Sequence, residues 1–324
     1  MKVSVITPFY QGNNYIEQYQ DMMLANLANL APEDEAEIIL VNDSPWEAIS
    51  LRGAVAANRN WRIIRNAKNA GIHASRIHGL EQSTGDYVIF LDQDDLLADT
   101  ALRDFLAEAR RLASEREDLL AGGAAEASVD ASGGLVAGDA MCYQVIVANA
   151  TLEQKDWSNL WYRTDYHKSL VGDLKTYLRV GTQIISPGQC LIPKVLIPDF
   201  WMDNPLSKNG ADDYFLWLLM LEQGVPFSYL DKPLYVHHFT EKNLSADTSV
   251  TDASAFEFID MLRDLPVFMH PEDLRTLEEM LRFKDAFRRA NKSGKLKLAL
   301  RHPGLMWTNV FFKLRTKTGY GFNR

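Results

Sequence analysis

Cysteine is nearly absent: Cys142 and Cys190 are the only two in 324 residues, and they lack CxxC spacing. A disulfide scaffold and a cysteine-based zinc module are therefore excluded, and free thiols in a reducing compartment are expected. No GxGxxG follows the first strand-like run and no GxxxxGK[ST] occurs anywhere, so neither a dinucleotide fingerprint nor a P-loop is supported. Long hydrophobic runs are missing as well. Stretches such as residues 216–221 fall far short of the roughly 18–20 residues a membrane span needs. Met1-Lys2 leads directly into a strand-like run, so no signal peptide is expected.

The chain is acidic overall, with a net charge of −9, but the charge is segregated. From Arg282 onward twelve Lys and Arg face one acid, Asp285, giving that segment +11 and the preceding 281 residues −20. An acidic body with a basic tail suits an anionic partner. The tail mixes its cations with Leu296, Leu300, Trp307, Phe311 and other apolar residues. That is the composition of a segment lying on an anionic membrane surface, and a helix docked on the body is the competing reading. Nucleic acid is not an expected partner, because no binding motif is present and the body is acidic. A hydrophobic content of 47% is sufficient for a full core.

Within the first 95 residues, strand and helix signals alternate. Residues 2–7 (KVSVIT), 37–41 (EIILV), 61–64 (WRII) and 87–91 (YVIFL) read as short buried strands. Between the first two, Ile16, Tyr19, Met23, Leu27 and Leu30 recur at helical spacing, with Asn13 or Asn14 available as a cap. The βαβαβαβ order predicts an α/β fold with a mostly parallel sheet flanked by helices. Three of these strands end in polar residues: Thr7 with Pro8 and Tyr10, Asn42-Asp43-Ser44, and Asp92, Asp94 and Asp95. Ligands in open α/β sheets bind beyond the carboxyl ends of the strands, so a nucleotide-sized ligand is expected there. Asp92 and Asp94 are spaced to share a hard divalent cation, while Asp94 or Asp95 capping the helix that begins near Ala98 is the plainer alternative.

Further along, residues 122–138 are rich in small residues and read as a hairpin or surface insertion. Residues 157–167 (WSNLWYRTDYH) gather five rings, suited either to a carbohydrate-binding wall or to core. Gly188, in Ser186-Pro187-Gly188-Gln189, would permit close backbone approach to a ligand. Asp212 and Asp213 precede the apolar YFLWLLML, so one of them stands at a helix N-terminus, as a positioned general base or as a simple N-cap. His237-His238 follows a strand and could add a nitrogen ligand to a cation.

Five segments, VSVITPFYQGNNYIEQ, EIILVNDS, NAGIHASRIHGLEQSTGDYVIFLDQDD, SPGQCLIP and GADDYFLWLLMLEQG, in this order and spacing resemble the family 2 inverting glycosyltransferases of GT-A fold. The resemblance spans about residues 1–240. It implies a nucleotide-sugar donor, with a UDP-hexose the first expectation, and a Mn²⁺ or Mg²⁺ cofactor. Thr7, Pro8, Tyr10 and Asp43 match the base-binding positions, and Asn69, Gly71 and Arg76 match the turn before the acidic strand. Asp92 matches the residue near ribose and metal, Asp94 the metal ligand, His237 or His238 the histidine that completes the metal site, and Asp213 the catalytic base. Asn42, Ile77, Asp212 and Leu219 stand where Asp, Asn, Glu and Arg are common, and no QxxRW is present. Non-processive transfer to a glycan or lipid-diphosphate-linked acceptor in cell-surface polysaccharide synthesis is the implied function.

The expected organisation is a GT-A domain over 1–245, its nucleotide-binding half 1–95 and its acceptor-binding half 120–245, followed by a helical, basic extension over 250–324. Location is expected to be cytoplasmic, peripheral to the inner face of the plasma membrane. Two other classes share some of these features. A sugar nucleotidyltransferase would need a glycine-rich first loop with a basic residue, which residues 8–12 lack. A nucleotide-sugar sensor would keep the pocket without needing Asp213.

Overall fold

The computed structural model describes residues 1–121, 143–154, 157–238, 248–263 and 265–318. Its first half runs β1 (Lys2–Phe9), α1 (Ile16–Ala28), β2 (Glu35–Asn42), the short α2 (Gly53–Ala56), β3 (Trp61–Arg65), α3 (Ile72–Gln82) and β4 (Tyr87–Phe90). These strands lie in the order β3-β2-β1-β4 and pair parallel. Val3, Val5, Ile6, Ile38, Ile39 and Val88 are fully buried. Apolar residues point to both faces of the pleat, so helices must cover both sides, as the alternating pattern requires.

The second half continues with β5 (Leu96–Leu97), α4 (Ala101–Ala121), β6 (Val145–Gln154), β7 (Trp157–Leu160), α5 (Asp165–Lys168), α6 (Leu174–Val180), β8 (Cys190–Pro193), α7 (Asp199–Asp203), α8 (Asp212–Glu222) and β9 (Phe227–His238). Here pairing is mixed. β8 joins β4 antiparallel, β6 joins β8 antiparallel, β9 runs parallel to β6, and β5 closes the order antiparallel to β9. Because β5 follows β4 after five residues and pairs with the end of β9, the acidic turn between β4 and β5 is pressed against Tyr235–His238.

Helices α9 (Thr248–Leu262), α10 (Pro271–Arg289), α11 (Lys292–Arg301) and α12 (Pro303–Thr316) complete the described chain. Phe312 of α12 packs with Leu170 and Val180 and meets the edge of the His167 ring at 5.6 Å. Lys284 of α10 is buried and donates to the Val180 carbonyl at 2.5 Å, and that burial pushes its ammonium down to about 7.

Three local expectations change. Neither Asn13 nor Asn14 caps α1: Tyr15 precedes it without a side-chain cap, and Asn13 donates to Glu47 and the Ala48 carbonyl. The aromatic segment is mainly core. Trp161, Tyr162 and His167 are buried, and the Trp161 indole and Tyr162 hydroxyl both donate to the Gln183 carbonyl, leaving Trp157 exposed. Cys190 is buried with a free thiol. Cys142 and the 122–138 segment lie outside the described residues.

Candidate active site

The turn leaving β4 holds three carboxylates with three different environments. Asp92 accepts from the Arg76 guanidinium at 2.6 Å and from the Ser186 hydroxyl at 3.2 Å. Asp95 is buried and accepts from the Tyr235 hydroxyl, from His237 Nδ1 at 3.0 Å and from the His238 amide at 3.2 Å. It does not cap α4, which starts six residues later at Ala101; β9 claims its carboxylate instead. Asp94 takes no hydrogen bond from another side chain among the described residues. Burial, together with repulsion from Asp95 and Asp92, pushes Asp94 up to about 7. For His237, burial alone would lower the pKa, but the bonded Asp95 carboxylate reverses the direction and raises it.

Arg76, buried on α3, connects this turn to a distant acid pair. One guanidinium nitrogen meets Asp92, and another donates to Asp212 on the first turn of α8 at 2.6 Å. The Trp201 indole donates to the Asp212 carbonyl and pins the helix start from the other side. Asp213, the next residue, accepts only the Tyr214 amide, at 2.7 Å, among the described residues. Burial and the neighbouring Asp212 push Asp213 up to about 7, against the pull of Arg76. A carboxylate in that range suits general base work near neutrality.

At the ends of β1 and β2 the placement is more varied. Tyr10 is exposed and meets Trp46 edge-on at 6.1 Å, so two rings line the rim. Gln93, between Asp92 and Asp94, clamps that loop by exchanging hydrogen bonds with the Tyr10 backbone. Thr7 and Pro8 are buried, and the Thr7 hydroxyl is shared with Tyr19 at 2.7 Å, facing inward rather than into the crevice. Asp43 is buried and accepts from Asn66 and from the Ala70 and Gly71 amides, so it shapes the turn into α3. Gly71 has φ +88, and a side chain there would also crowd Asn209, whose amide oxygen takes the Ile72 N–H. Asn69 is exposed beside it.

Gly188 serves packing rather than ligand approach: an added Cβ would lie 2.8 Å from the Tyr235 ring and 3.0 Å from Leu91. Of the histidine pair, His237 faces Asp95, while His238 Nδ1 lies 3.6 Å from Glu153. Sequence reasoning overlooked Ser186, Gln93, Trp46, Asn209 and Tyr235 as partners. Of these, Tyr235 was within reach, since it stands two residues before His237 on the same strand face. Glu257 of α9 was also overlooked. It accepts from the Ser207 and Lys208 amides and so holds the loop that carries Asn209.

Among the described residues no three His, Cys, Asp or Glu converge as a ready-made metal cage. The donor chemistry fits a hard divalent cation held only in part by protein. Asp94 is an oxygen donor crowded by two further acids, and a cation beside it would remove that repulsion. Asp94 and Asp92 would supply protein oxygens, and with Nδ1 engaged by Asp95, His237 would contribute through Nε2.

A parallel βαβ layer with acids at its strand ends, continued through β8, β6 and β9, gives the chain a GT-A fold. Residues 4–114 match the model for Glycosyl transferase family 2. It is 33% identical over 102 residues to a cholesterol galactosyltransferase of Borreliella burgdorferi, covering 31% of this chain and 27% of that protein. It is 32% identical over 95 residues to glycosyltransferase GlyA of Streptococcus pneumoniae serotype 4, covering 29% and 13%. The chain thus matches under a third of the length of these relatives. The structure of S. aureus TarS 1-349 in complex with UDP-GlcNAc superposes with a TM-score of 0.51 at 17% identity, over 97% of this chain and 82% of that one. At that identity the likeness is one of fold.

Proposed function

We propose that the protein is an inverting, metal-dependent, non-processive glycosyltransferase that moves a sugar from a nucleotide donor, with a UDP-hexose the first choice, to a hydroxyl of a glycan or lipid-diphosphate-linked acceptor in cell-surface polysaccharide synthesis. The observation that carries this reading is the Arg76 bridge between Asp92 and Asp212. It ties the turn bearing Asp94 to the helix bearing Asp213, so that two acids raised to about 7 belong to one assembly. The family match, the named relatives and the fold shared with a UDP-GlcNAc complex support a nucleotide-sugar donor.

In this reading residues 1–95 form the nucleotide side and residues 120–245 the acceptor side. Tyr10 and Trp46 hold the base at the rim, and the Asn69–Gly71 turn lies beneath the donor. Ionised Asp213 accepts the proton of the acceptor hydroxyl as that oxygen bonds to the anomeric carbon. The bond from that carbon to the diphosphate oxygen breaks on the opposite side, so the anomeric configuration inverts. A Mn²⁺ or Mg²⁺ ion at Asp94 would neutralise charge developing on the diphosphate. Arg76 holds Asp92 and Asp212 in place.

The test is incubation with a panel of nucleotide sugars and Mn²⁺, followed by NMR of the product's anomeric proton. Transfer with inversion is expected. Retention of configuration would contradict the role of Asp213, and donor binding without consumption would favour a sensor.

A further inference from the structure

Helix α12 has two faces, and the fold covers one of them. At roughly 100° per residue, Asn309, Phe312 and Thr316 share the face that packs on the body. Trp307, Phe311 and Leu314 fall on the opposite face and are 61%, 57% and 68% exposed, with the Trp307 and Phe311 rings 5.9 Å apart. Helix α11 has no buried residue, and its Leu296 and Leu300 are 64% and 74% exposed. A scattered exposed leucine is ordinary, but five large apolar side chains within nineteen residues of two consecutive helices are a surface awaiting cover.

Charge says what covers it. Residues 292–317 contain seven Lys and Arg and no acid, although the first 281 residues carry −20. Lys292, Lys295 and Lys297 lie on α11 with its leucines, and Lys313, Arg315 and Lys317 stand at the C-terminal end of α12. Lysine stems lie along apolar surface while their ammonium groups reach outward, the arrangement of a helix seated at a lipid headgroup boundary. No described helix is long and apolar enough to cross a membrane, so such seating would be peripheral.

We propose that α11 and α12 form a docking surface for an anionic phospholipid bilayer, with Trp307, Phe311 and Leu314 entering the acyl boundary and the lysines meeting the headgroups. This goes beyond the transferase reading and does not depend on it. The surface would hold the body against a membrane whether or not the crevice turns over.

The experiment uses the full chain, without donor or acceptor. It is sedimented with phosphatidylcholine vesicles and with vesicles containing about a third phosphatidylglycerol. Partitioning at least roughly tenfold stronger onto the anionic vesicles is expected, weakened by salt. Trp307→Glu with Phe311→Glu should reduce it roughly tenfold or more while the melting temperature stays unchanged. Leu300→Glu, on a helix with no buried residue, is the second variant should the first fail to fold, and it should weaken partitioning severalfold. Absence of wild-type binding, or folded glutamate variants that partition like wild type, would overturn the proposal. So would a dimer, seen by sedimentation velocity, that the glutamate variants dissociate in the absence of vesicle binding, since the stripe would then belong to a second copy of the chain.

Discussion

The turn after β4 and the first turn of α8 solve the same electrostatic problem in parallel ways. Each crowds carboxylates together and gives all but one a side-chain partner. In the first, Arg76 and Ser186 hold Asp92, Tyr235 and His237 hold Asp95, and Asp94 is left raised to about 7. In the second, Arg76 holds Asp212, the Trp201 indole fixes its backbone, and Asp213 is left raised to about 7. The difference lies in location. Asp94 sits at the carboxyl end of a parallel strand, where diphosphates bind, while Asp213 stands across the Arg76 bridge on a helix of the other half. In the proposed reading one pattern would supply two distinct chemistries, a cation ligand at Asp94 and a base at Asp213.

Asp213→Asn should separate the two clusters most sharply. Transfer should fall by roughly 10²–10⁴-fold while donor affinity changes by less than about twofold, measured by product formation and by nucleotide titration. Transfer near the wild-type rate would move the base elsewhere. Arg76→Met should break both clusters at once, because it leaves buried Asp212 and half-buried Asp92 without their cation. A loss of about 3–5 kcal/mol in urea unfolding is expected, and a loss below about 1 kcal/mol would mean the bridge is not what joins them. Measured at saturating Mn²⁺, so that the cation holds Asp94 ionised, the pH profile probes Asp213. Because the base must be ionised, kcat/KM should drop about tenfold from pH 8 to pH 6, and a flat profile across that range would contradict the raised carboxylate. Trp46→Ala tests only the rim. A loss of about 1 kcal/mol, roughly fivefold in nucleotide Kd, is expected with turnover at saturation unchanged.

Much of the first half was legible because its signals are local. Continuous β-branched runs marked β1, β2 and β4, and Asp92, Asp94 and Asp95 were conspicuous at a strand end. What was not legible depends on partners far along the chain. Arg76 meets Asp212 across 136 residues and Asp95 meets Tyr235 across 140, and no short-range pattern announces either pair. For that reason Asp95 read as a helix cap and proved to be an anchor for β9. Thr7 read as a ligand contact, but its hydroxyl is taken by Tyr19 beneath the sheet. Asn13 offered a plausible cap for α1 and was claimed by Glu47 and Ala48. Trp161, Tyr162 and His167 show the same limit, since composition does not say whether rings face a ligand or one another.

The most direct measurement compares Asp94→Asn and Asp213→Asn side by side by calorimetry with UDP, with and without Mn²⁺. The division of labour predicts that wild type and Asp213→Asn bind UDP alike and gain affinity from Mn²⁺. Asp94→Asn should lose that gain. Equal loss in both variants, or a Mn²⁺ effect that survives in Asp94→Asn, would contradict it.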